Sequence, residues 1–220
     1  MNTPHLIRLM TWLSPAFPVG AFSYSHGIER VIHDGIIRDR ATLEDWLHDL
    51  LHQGSIWNDA ILFAAAWSEP DAGEDIAALG AAMAGSAERY METMLQGSAF
   101  IQAASHWMAE QSADDLPYPV AVAKVAASNG VELEPALAAY LHAVLSNLIQ
   151  GAVRLVPLGQ SQGVALMASL EPAILGVASA AARSGLDDLG SAAIMSEIAA
   201  MQHETQYSSC LLYTSDAADE

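Results

Sequence analysis

The sequence predicts an all-α protein, a single-domain helical bundle of about ten helices. Apolar residues recur at helical spacing, alanine is abundant, and β-branched residues are scattered. No internal repeat, glycine-serine linker or block of charge divides the 220 residues. Hydrophobic residues make up 52% of the chain and charged residues 15%, so apolar burial can offset the entropy of ordering one domain.

The clearest helix begins behind Thr42, a cap residue followed three positions later by Asp45, and ends at Gly54. One face of this helix carries an apolar stripe made of Leu43, Trp46, Leu47, Leu50 and Leu51. The same periodicity, with glycine, proline and asparagine as stops, predicts further helices at about residues 24–33, 58–67, 74–84, 86–110, 120–128, 172–183 and 191–202. One more helix opens at Glu134 and is disturbed near Pro157.

The chain is strongly acidic, with 8 Lys and Arg against 26 Asp and Glu and a net charge of −18. Such a surface repels phosphate backbones and anionic lipid, which argues against nucleic-acid and membrane partners. It suits protein partners with basic patches, although a merely solvated acidic surface is the commoner explanation. A single cysteine, Cys210, and an N-terminus without a signal-peptide or membrane-span pattern predict a cytoplasmic protein.

His48 and His52 are the main candidates for metal-dependent catalysis. Their spacing places both imidazoles on one helix face, as in half of a helical zinc site. The zinc-protease motif requires Glu directly after the first His, where this chain has Asp49, and no third ligand is marked in the sequence. A partly exposed helix flank is therefore the favoured interpretation, with a metal-dependent hydrolase as the alternative.

Two short motifs resemble catalytic loops but lack their context. Residues 23–27 read Ser-Tyr-Ser-His-Gly, yet neither the strand nor the first glycine of a nucleophile elbow precedes them. Residues 159–163 read Gly-Gln-Ser-Gln-Gly and lack the Gly-Lys-Ser/Thr ending of a phosphate loop, so a helix break after Pro157 is the favoured interpretation. We therefore expect no enzyme activity, no nucleotide binding and no cofactor.

Residues 14–27 differ in character from the rest of the chain. They combine prolines, glycines and aromatic residues in a loop that opens a helix. Proline and glycine specify the backbone tightly, and aromatic rings in such a loop are available to a partner. We expect this loop to be functional.

Three segments together resemble the urease accessory protein F family. Residues 14–29 read SPAFPVGAFSYSHGIE, residues 154–160 read RLVPLGQ, and residues 203–208 read HETQYS. The three segments occur in the order and at the spacing that the family shows. The resemblance covers the chain from Leu6 to Ser208 and agrees with the all-helical prediction.

The resemblance implies a homodimeric, non-enzymatic accessory protein of urease maturation. Proteins of this family bind urease accessory protein D, also called H, and recruit the nickel-carrying GTPase accessory protein G. Their assembly regulates GTP hydrolysis and passes Ni²⁺ to apo-urease, so nickel binding belongs to the process while no metal ligand is assigned in this chain. A helical interaction protein unrelated to nickel is a further alternative.

The resemblance also implies which residues contact partners. The first two segments correspond to the family's functional surface, and the tail from about residue 203 corresponds to the element that docks on accessory protein D. The implied partner-binding residues are Pro15, Pro18, Gly20, Phe22, Ser23, Tyr24, Ser25, Gly27, Glu29, Arg154, Pro157, Leu158, Gly159, Gln160, His203, Glu204, Gln206 and Tyr207.

The end of the chain departs from the family pattern. Family tails usually continue with basic and apolar residues, whereas residues 210–220 here resemble translated sequencing-library adapter. We therefore expect a family domain over residues 1–208 and a non-native segment over residues 209–220.

Overall fold

The computed structural model describes residues 2–20, 27–69, 72–109, 115–156 and 158–203, and all regular structure within them is helical. The all-α prediction is confirmed. The helices are α1 (Thr3–Trp12), α2 (Ile28–His33), α3 (Arg40–Gln53), α4 (Ser55–Ser68), α5 (Gly73–Ala82), α6 (Ala87–Ala104), α7 (Tyr118–Ser128), α8 (Leu133–Leu155), α9 (Gln160–Ala181) and α10 (Ile194–His203). Two short 3₁₀ turns lie at Ser105–Trp107 and Leu186–Asp188.

Helix α4 lies at the centre of the bundle and packs against α3, α5, α7, α8 and α9. Most of its residues are buried, including Ile56, Ile61, Leu62 and Phe63. Burying one large apolar side chain contributes roughly 1.5–3 kcal/mol, so a helix buried on most of its circumference organises the core around it. The only acidic residue of α4, Asp59, is consequently carried into the interior.

The remaining helices pack in pairs around this centre. Helices α6 and α7 lie against each other, and so do α8 and α9. Helix α10 lies at the edge, where it contacts α2 and α6. The chain before α10 is fixed to α3, because the backbone N–H groups of Ala192 and Ala193 donate to the carbonyl of Gln53 at 2.8 and 3.2 Å.

The apolar stripe predicted for α3 is confirmed, since its five residues are all buried. The predicted start of this helix was wrong. Asp39 is the N-cap: its side chain accepts from the backbone N–H of Thr42, and the Thr42 hydroxyl oxygen accepts from the backbone N–H of Asp39 in return. The helix ends where expected, at Gly54.

Helix α2 begins later than the predicted residue 24. Gly27, immediately before it, has φ 76°, a left-handed conformation that cannot continue into a right-handed helix. The helix therefore starts at Ile28, and residues 21–26 lie outside the described part of the chain.

Helix α9 corrects two predictions. It begins at Gln160 rather than near Pro172, and Pro172 lies inside it on an exposed face, where water can satisfy the carbonyl that proline leaves without a donor. Gly163 is buried within the helix and does not break it. A Cβ at this position would meet Val153 and Ile149 of α8 at 3.2 and 3.4 Å, so the glycine permits close helix packing.

Sequence patterning did not predict α1. Asn2 caps it by accepting from the backbone N–H of His5 at 3.0 Å, and the Arg8 guanidinium donates to the carbonyl of Asn129 at 3.0 Å. Trp12 is fully buried and meets Trp107 edge-on, with ring centroids 5.9 Å apart.

The predicted helix over residues 86–110 is shorter than expected, since α6 ends at Ala104.

Gly97 marks the closest approach between α6 and the segment before α7. A Cβ at Gly97 would overlap the carbonyl oxygen of Leu116, which is backbone and cannot move aside cheaply. We expect Gly97→Ala to lower the free energy of unfolding by at least about 3 kcal/mol. The matched control is Gly176→Ala on α9, where a Cβ meets nothing within 4 Å and should stabilise the protein by about 0.5–1 kcal/mol. Urea unfolding measures both, and similar effects of the two variants would contradict this packing.

Candidate docking site

The loop over residues 14–27 is called the motif loop below. Its described part, residues 14–20, has an inner and an outer side. Val19 is buried, and Phe17 packs on Phe100 of α6 with ring centroids 5.4 Å apart. The prolines at 15 and 18 and Gly20 are exposed. The loop is tightened by backbone hydrogen bonds from Phe17 to Ser14 and from Val19 to Phe17, at 2.9 and 2.8 Å. Aromatic and aliphatic side chains thus anchor the loop, while its prolines face outward.

The base of the loop continues into the core as a row of aromatic rings. Phe100 packs on Tyr118, Tyr118 packs on Tyr140, and Tyr140 packs on Phe63, with centroid distances of 5.8, 5.5 and 5.3 Å. Offset and edge-on contacts of this kind stabilise a fold by about 0.5–1.5 kcal/mol each beyond the area they bury. The motif loop therefore rests on a support built from α4, α6, α7 and α8.

Tyr140, near the inner end of this row, contacts a buried ionic cluster. The Arg89 guanidinium lies 3.0 Å from an Asp59 carboxylate oxygen and 2.7 Å from a Glu92 carboxylate oxygen. Gln96 donates to Glu92 at 3.2 Å, and the Tyr140 hydroxyl donates to Asp59 at 3.4 Å. Each partner compensates charge that would otherwise be costly to bury. The cluster joins α4, α6 and α8.

The electrostatics of the cluster favour a charged arginine and neutral tyrosines. Burial alone would lower the pKa of Arg89, but the charges of Glu92 and Asp59 raise it above its usual range. Burial raises the pKa of Tyr118, and burial followed by the Asp59 charge raises the pKa of Tyr140. The carboxylates of Asp59 and Glu92 and the guanidinium of Arg89 are thus held together beside the aromatic row.

Sequence reasoning missed this cluster, although α6 carries a signal of it. Its buried residues Glu92, Thr93 and Gln96 are polar, whereas Met91 and Leu95 are apolar and exposed. Over this first half of α6, polarity is inverted relative to an ordinary surface helix, which indicates a polar network on its inner side, whereas the second half buries apolar residues.

The second sequence segment lies at the junction of α8 and α9. Arg154, in the last turn of α8, is exposed, and its Nε donates to the carbonyl of Gln150 at 3.2 Å. Leu158 is buried, and Gly159 and Gln160 are exposed at the start of α9. Pro157 lies outside the described residues.

Helix α8 brings the two segments onto one face. Ala143 and Asn147 line a small slot, about 20 Å³, beneath Leu13 and residues 14–20 of the motif loop. Arg154 follows Asn147 by seven residues, which is two turns or about 10 Å along the same helix face. The docking face, defined as the motif loop with this side of α8, therefore combines the first two sequence segments.

Not every residue implied by the resemblance lies on this face. Gly27 and Glu29 are buried at the start of α2, with Glu29 only 5% exposed. His203 is the last residue of α10. The other implied residues, Phe22, Ser23, Tyr24, Ser25, Glu204, Gln206 and Tyr207, lie outside the described part of the chain.

Comparisons with known proteins agree with the sequence segments. The family model UreF matches residues 37–171. The chain is 53% identical over 212 residues to "Urease accessory protein UreF 1" of Brucella suis biovar 1, covering 94% of this chain and 93% of that protein. It is 50% identical over 209 residues to "Urease accessory protein UreF" of Mesorhizobium japonicum, covering 92% and 94%.

The chain belongs to the UreF family. Its described structure has the all-helical architecture that the resemblance implied, and as a UreF-family member it is a urease accessory protein and not an enzyme. The family assignment also explains why the nucleophile-elbow and phosphate-loop motifs lack their contexts.

His48 and His52 do share a helix face in this UreF-family chain, as their spacing predicted. Their rings stack with centroids 5.5 Å apart, and the Nδ1 of His52 lies 2.9 Å from the carbonyl oxygen of His48. Within the described residues, no group of three or more His, Cys, Asp or Glu side chains is arranged to hold a metal ion. The structure therefore offers the two histidines no third ligand there.

Helices α8 and α9 of this UreF-family member are long and apolar enough to cross a membrane by length and composition. Core helices of soluble proteins share this length and composition. Both helices pack against α4, and α9 also packs against α3. Part of the apolar surface of both helices therefore lies in the core.

The buried tyrosines predict loss of stability at alkaline pH. The raised pKa of folded Tyr118 means that its stabilising contribution is complete below about pH 10, the unfolded value, and is lost as pH rises toward the folded value. We expect Tyr118→Phe to weaken the fall in unfolding free energy between about pH 10 and 12. Urea unfolding at several pH values measures this slope. Tyr90→Phe, an exposed ring on α6, is the control, and equal slopes for Tyr118→Phe and the native chain would contradict the assignment.

Proposed function

We propose that the chain is a scaffold of the nickel-insertion complex, which bridges urease accessory protein D, also called H, and the GTPase accessory protein G. The observation that carries the proposal is the docking face, where prolines and a glycine point outward from a loop anchored on a buried aromatic row. A loop held in one conformation loses little entropy when a partner binds, which suits a docking element. UreF-family membership supports the same role.

In this role the chain acts by binding and by biasing the conformation of partners. GTP hydrolysis belongs to accessory protein G, and Ni²⁺ is cargo that the assembly passes to apo-urease. Regulation of the GTPase requires that the scaffold bind its nucleotide states with different affinities, since equal affinity would shift nothing. The rigid core beneath the loop suits such discrimination, because a preformed surface fits one partner conformation better than another.

The same proposal includes a cytoplasmic homodimer whose tail, from about His203, docks on accessory protein D. Helix α10 carries exposed apolar side chains at Ile194, Met195 and Ile198, and the neighbouring α6 carries exposed Met91 and Leu95. Several large apolar side chains exposed on two adjacent helices are typical of protein contact surfaces. They support an interface at the end of the chain from which the tail continues.

Reconstitution tests the bridging role. We expect accessory protein G to be retained on immobilised accessory protein D only when this chain is present. Phe22→Ala and Tyr24→Ala should each weaken that retention by about 2 kcal/mol or more with little change in melting temperature, as expected for aromatic interface anchors. Phe17→Ala is the comparison variant and should lower the melting temperature, because Phe17 packs on Phe100. Retention of G without this chain, or a lowered melting temperature with intact retention for Tyr24→Ala, would contradict the proposal.

A further inference from the structure

The histidine pair lies on α3, which is not part of the docking face. His48 is half-buried, His52 is exposed, and the centroids of their rings are 5.5 Å apart. Two imidazoles bound to one metal ion through metal–nitrogen bonds of about 2.0–2.1 Å have centroids about 4.5–5.2 Å apart. A small rotation of the side chains, without movement of the helix backbone, therefore brings both rings onto one ion.

A hydrogen bond of His52 prepares its ring for a metal. The Nδ1 of His52 lies 2.9 Å from the backbone carbonyl oxygen of His48. Because a carbonyl oxygen can only accept, Nδ1 carries the proton, and Nε2 of the neutral ring keeps its lone pair. Histidines that bind metals usually donate their other ring N–H to a carbonyl or carboxylate in this way, which fixes both the tautomer and the orientation of the ring.

The charges around the pair favour a cation. Residues 43–53 contain three acidic residues and no Lys or Arg. Two of the three, Asp45 and Asp49, are exposed, and each precedes one of the histidines by three residues, so their carboxylates lie on the same side of α3 as the imidazoles. The pair also lies near the carboxyl end of the helix, whose partial negative charge adds to this attraction.

We propose that His48 and His52 form a bidentate binding site for a divalent late first-row transition-metal ion, of the class of Ni²⁺, Cu²⁺ and Zn²⁺. Imidazole nitrogen suits these ions, whereas Mg²⁺ prefers oxygen ligands. No set of three or more His, Cys, Asp or Glu is arranged for a metal among the described residues, so water fills the other coordination positions. The proposal does not depend on the docking function.

Two protein ligands make this a site for binding and release. Structural zinc sites are closed by four protein ligands, and catalytic zinc sites use three. An ion held by two imidazoles and water on an open helix face is bound more weakly and exchanges with ions in solution. The pair therefore carries an exchangeable ion, and the metal-dependent hydrolase that its spacing first suggested is not required to explain it.

The test is isothermal titration calorimetry of the full, untagged chain with Ni²⁺, Zn²⁺ and Mg²⁺ at about pH 7.5, where imidazole is mostly neutral and able to bind metal. His48→Gln and His52→Gln each remove one ligand. The matched controls are His33→Gln on α2 and His142→Gln on α8, since both of these histidines are exposed. Circular dichroism verifies that each variant is folded.

A spacing variant separates chelation from the mere number of histidines. Asp45→His combined with His48→Gln keeps all eight histidines of the chain but places the two on α3 seven residues apart. Seven residues span about 10 Å along a helix, which is too far for one ion to bind both rings. This variant should bind Ni²⁺ and Zn²⁺ as weakly as His48→Gln alone.

We expect His48→Gln and His52→Gln each to weaken Ni²⁺ and Zn²⁺ binding by at least about tenfold, with both controls unchanged. The melting temperature of the native chain should rise with Ni²⁺ concentration more than that of His48→Gln, because the ion binds the folded state. Native affinity in either ligand variant or in the spacing variant would overturn the site. Binding of Mg²⁺ as tight as that of Ni²⁺ would also overturn it, since carboxylates rather than imidazoles would then hold the ion.

Discussion

Burial of Asp59 at the centre of the bundle is the constraint on which the surrounding structure depends. Helix α4 is apolar on most of its surface and packs against five other helices, so its one carboxylate is largely removed from water. An isolated buried carboxylate would be strongly destabilising, and removing one partner of a buried pair costs about 3–5 kcal/mol. Arg89 of α6 and the hydroxyl of Tyr140 on α8 compensate it. These contacts are directional, so they fix the relative placement of three helices.

The geometry of the docking face depends on this arrangement of helices. Tyr140 is held between Asp59 and the aromatic row, Tyr118 and Phe100 follow it outward, and Phe17 anchors the motif loop on the last ring. Helix α8 supplies Tyr140, Asn147, which lines the slot beneath the motif loop, and the exposed Arg154 near its end. One helix therefore links the buried ionic cluster to the face that we propose binds partners.

Much of the fold could be predicted from local sequence signals. The α3 stripe and the stop at Gly130, which has φ 70°, follow from periodicity and from the conformational freedom of glycine. The errors arose where tertiary packing overrides such signals. Gly163 resembles a helix breaker in sequence, but close approach of α8 makes it a packing residue, and Pro172 is tolerated because its helix face is exposed.

The candidate site was predictable only in part. The motif loop stands out by composition, but which of its residues face inward depends on Phe100, Tyr118 and α8, which are distant in sequence. Asn147 carries no local signal at all, since an asparagine within a long helix is unremarkable until a loop packs beside it. The ionic cluster could be suspected from the inverted polarity of α6, yet its partners on α4 and α8 required the tertiary structure.

Hydrogen–deuterium exchange of the chain, alone and in complex with accessory proteins D and G, tests the central claim that the docking face binds a partner. The account predicts slower exchange in residues 14–20 and in the last turns of α8 on complex formation, with α3 and its histidine pair unchanged. Protection confined to α3, or none on the motif loop in a complex that demonstrably forms, would contradict it.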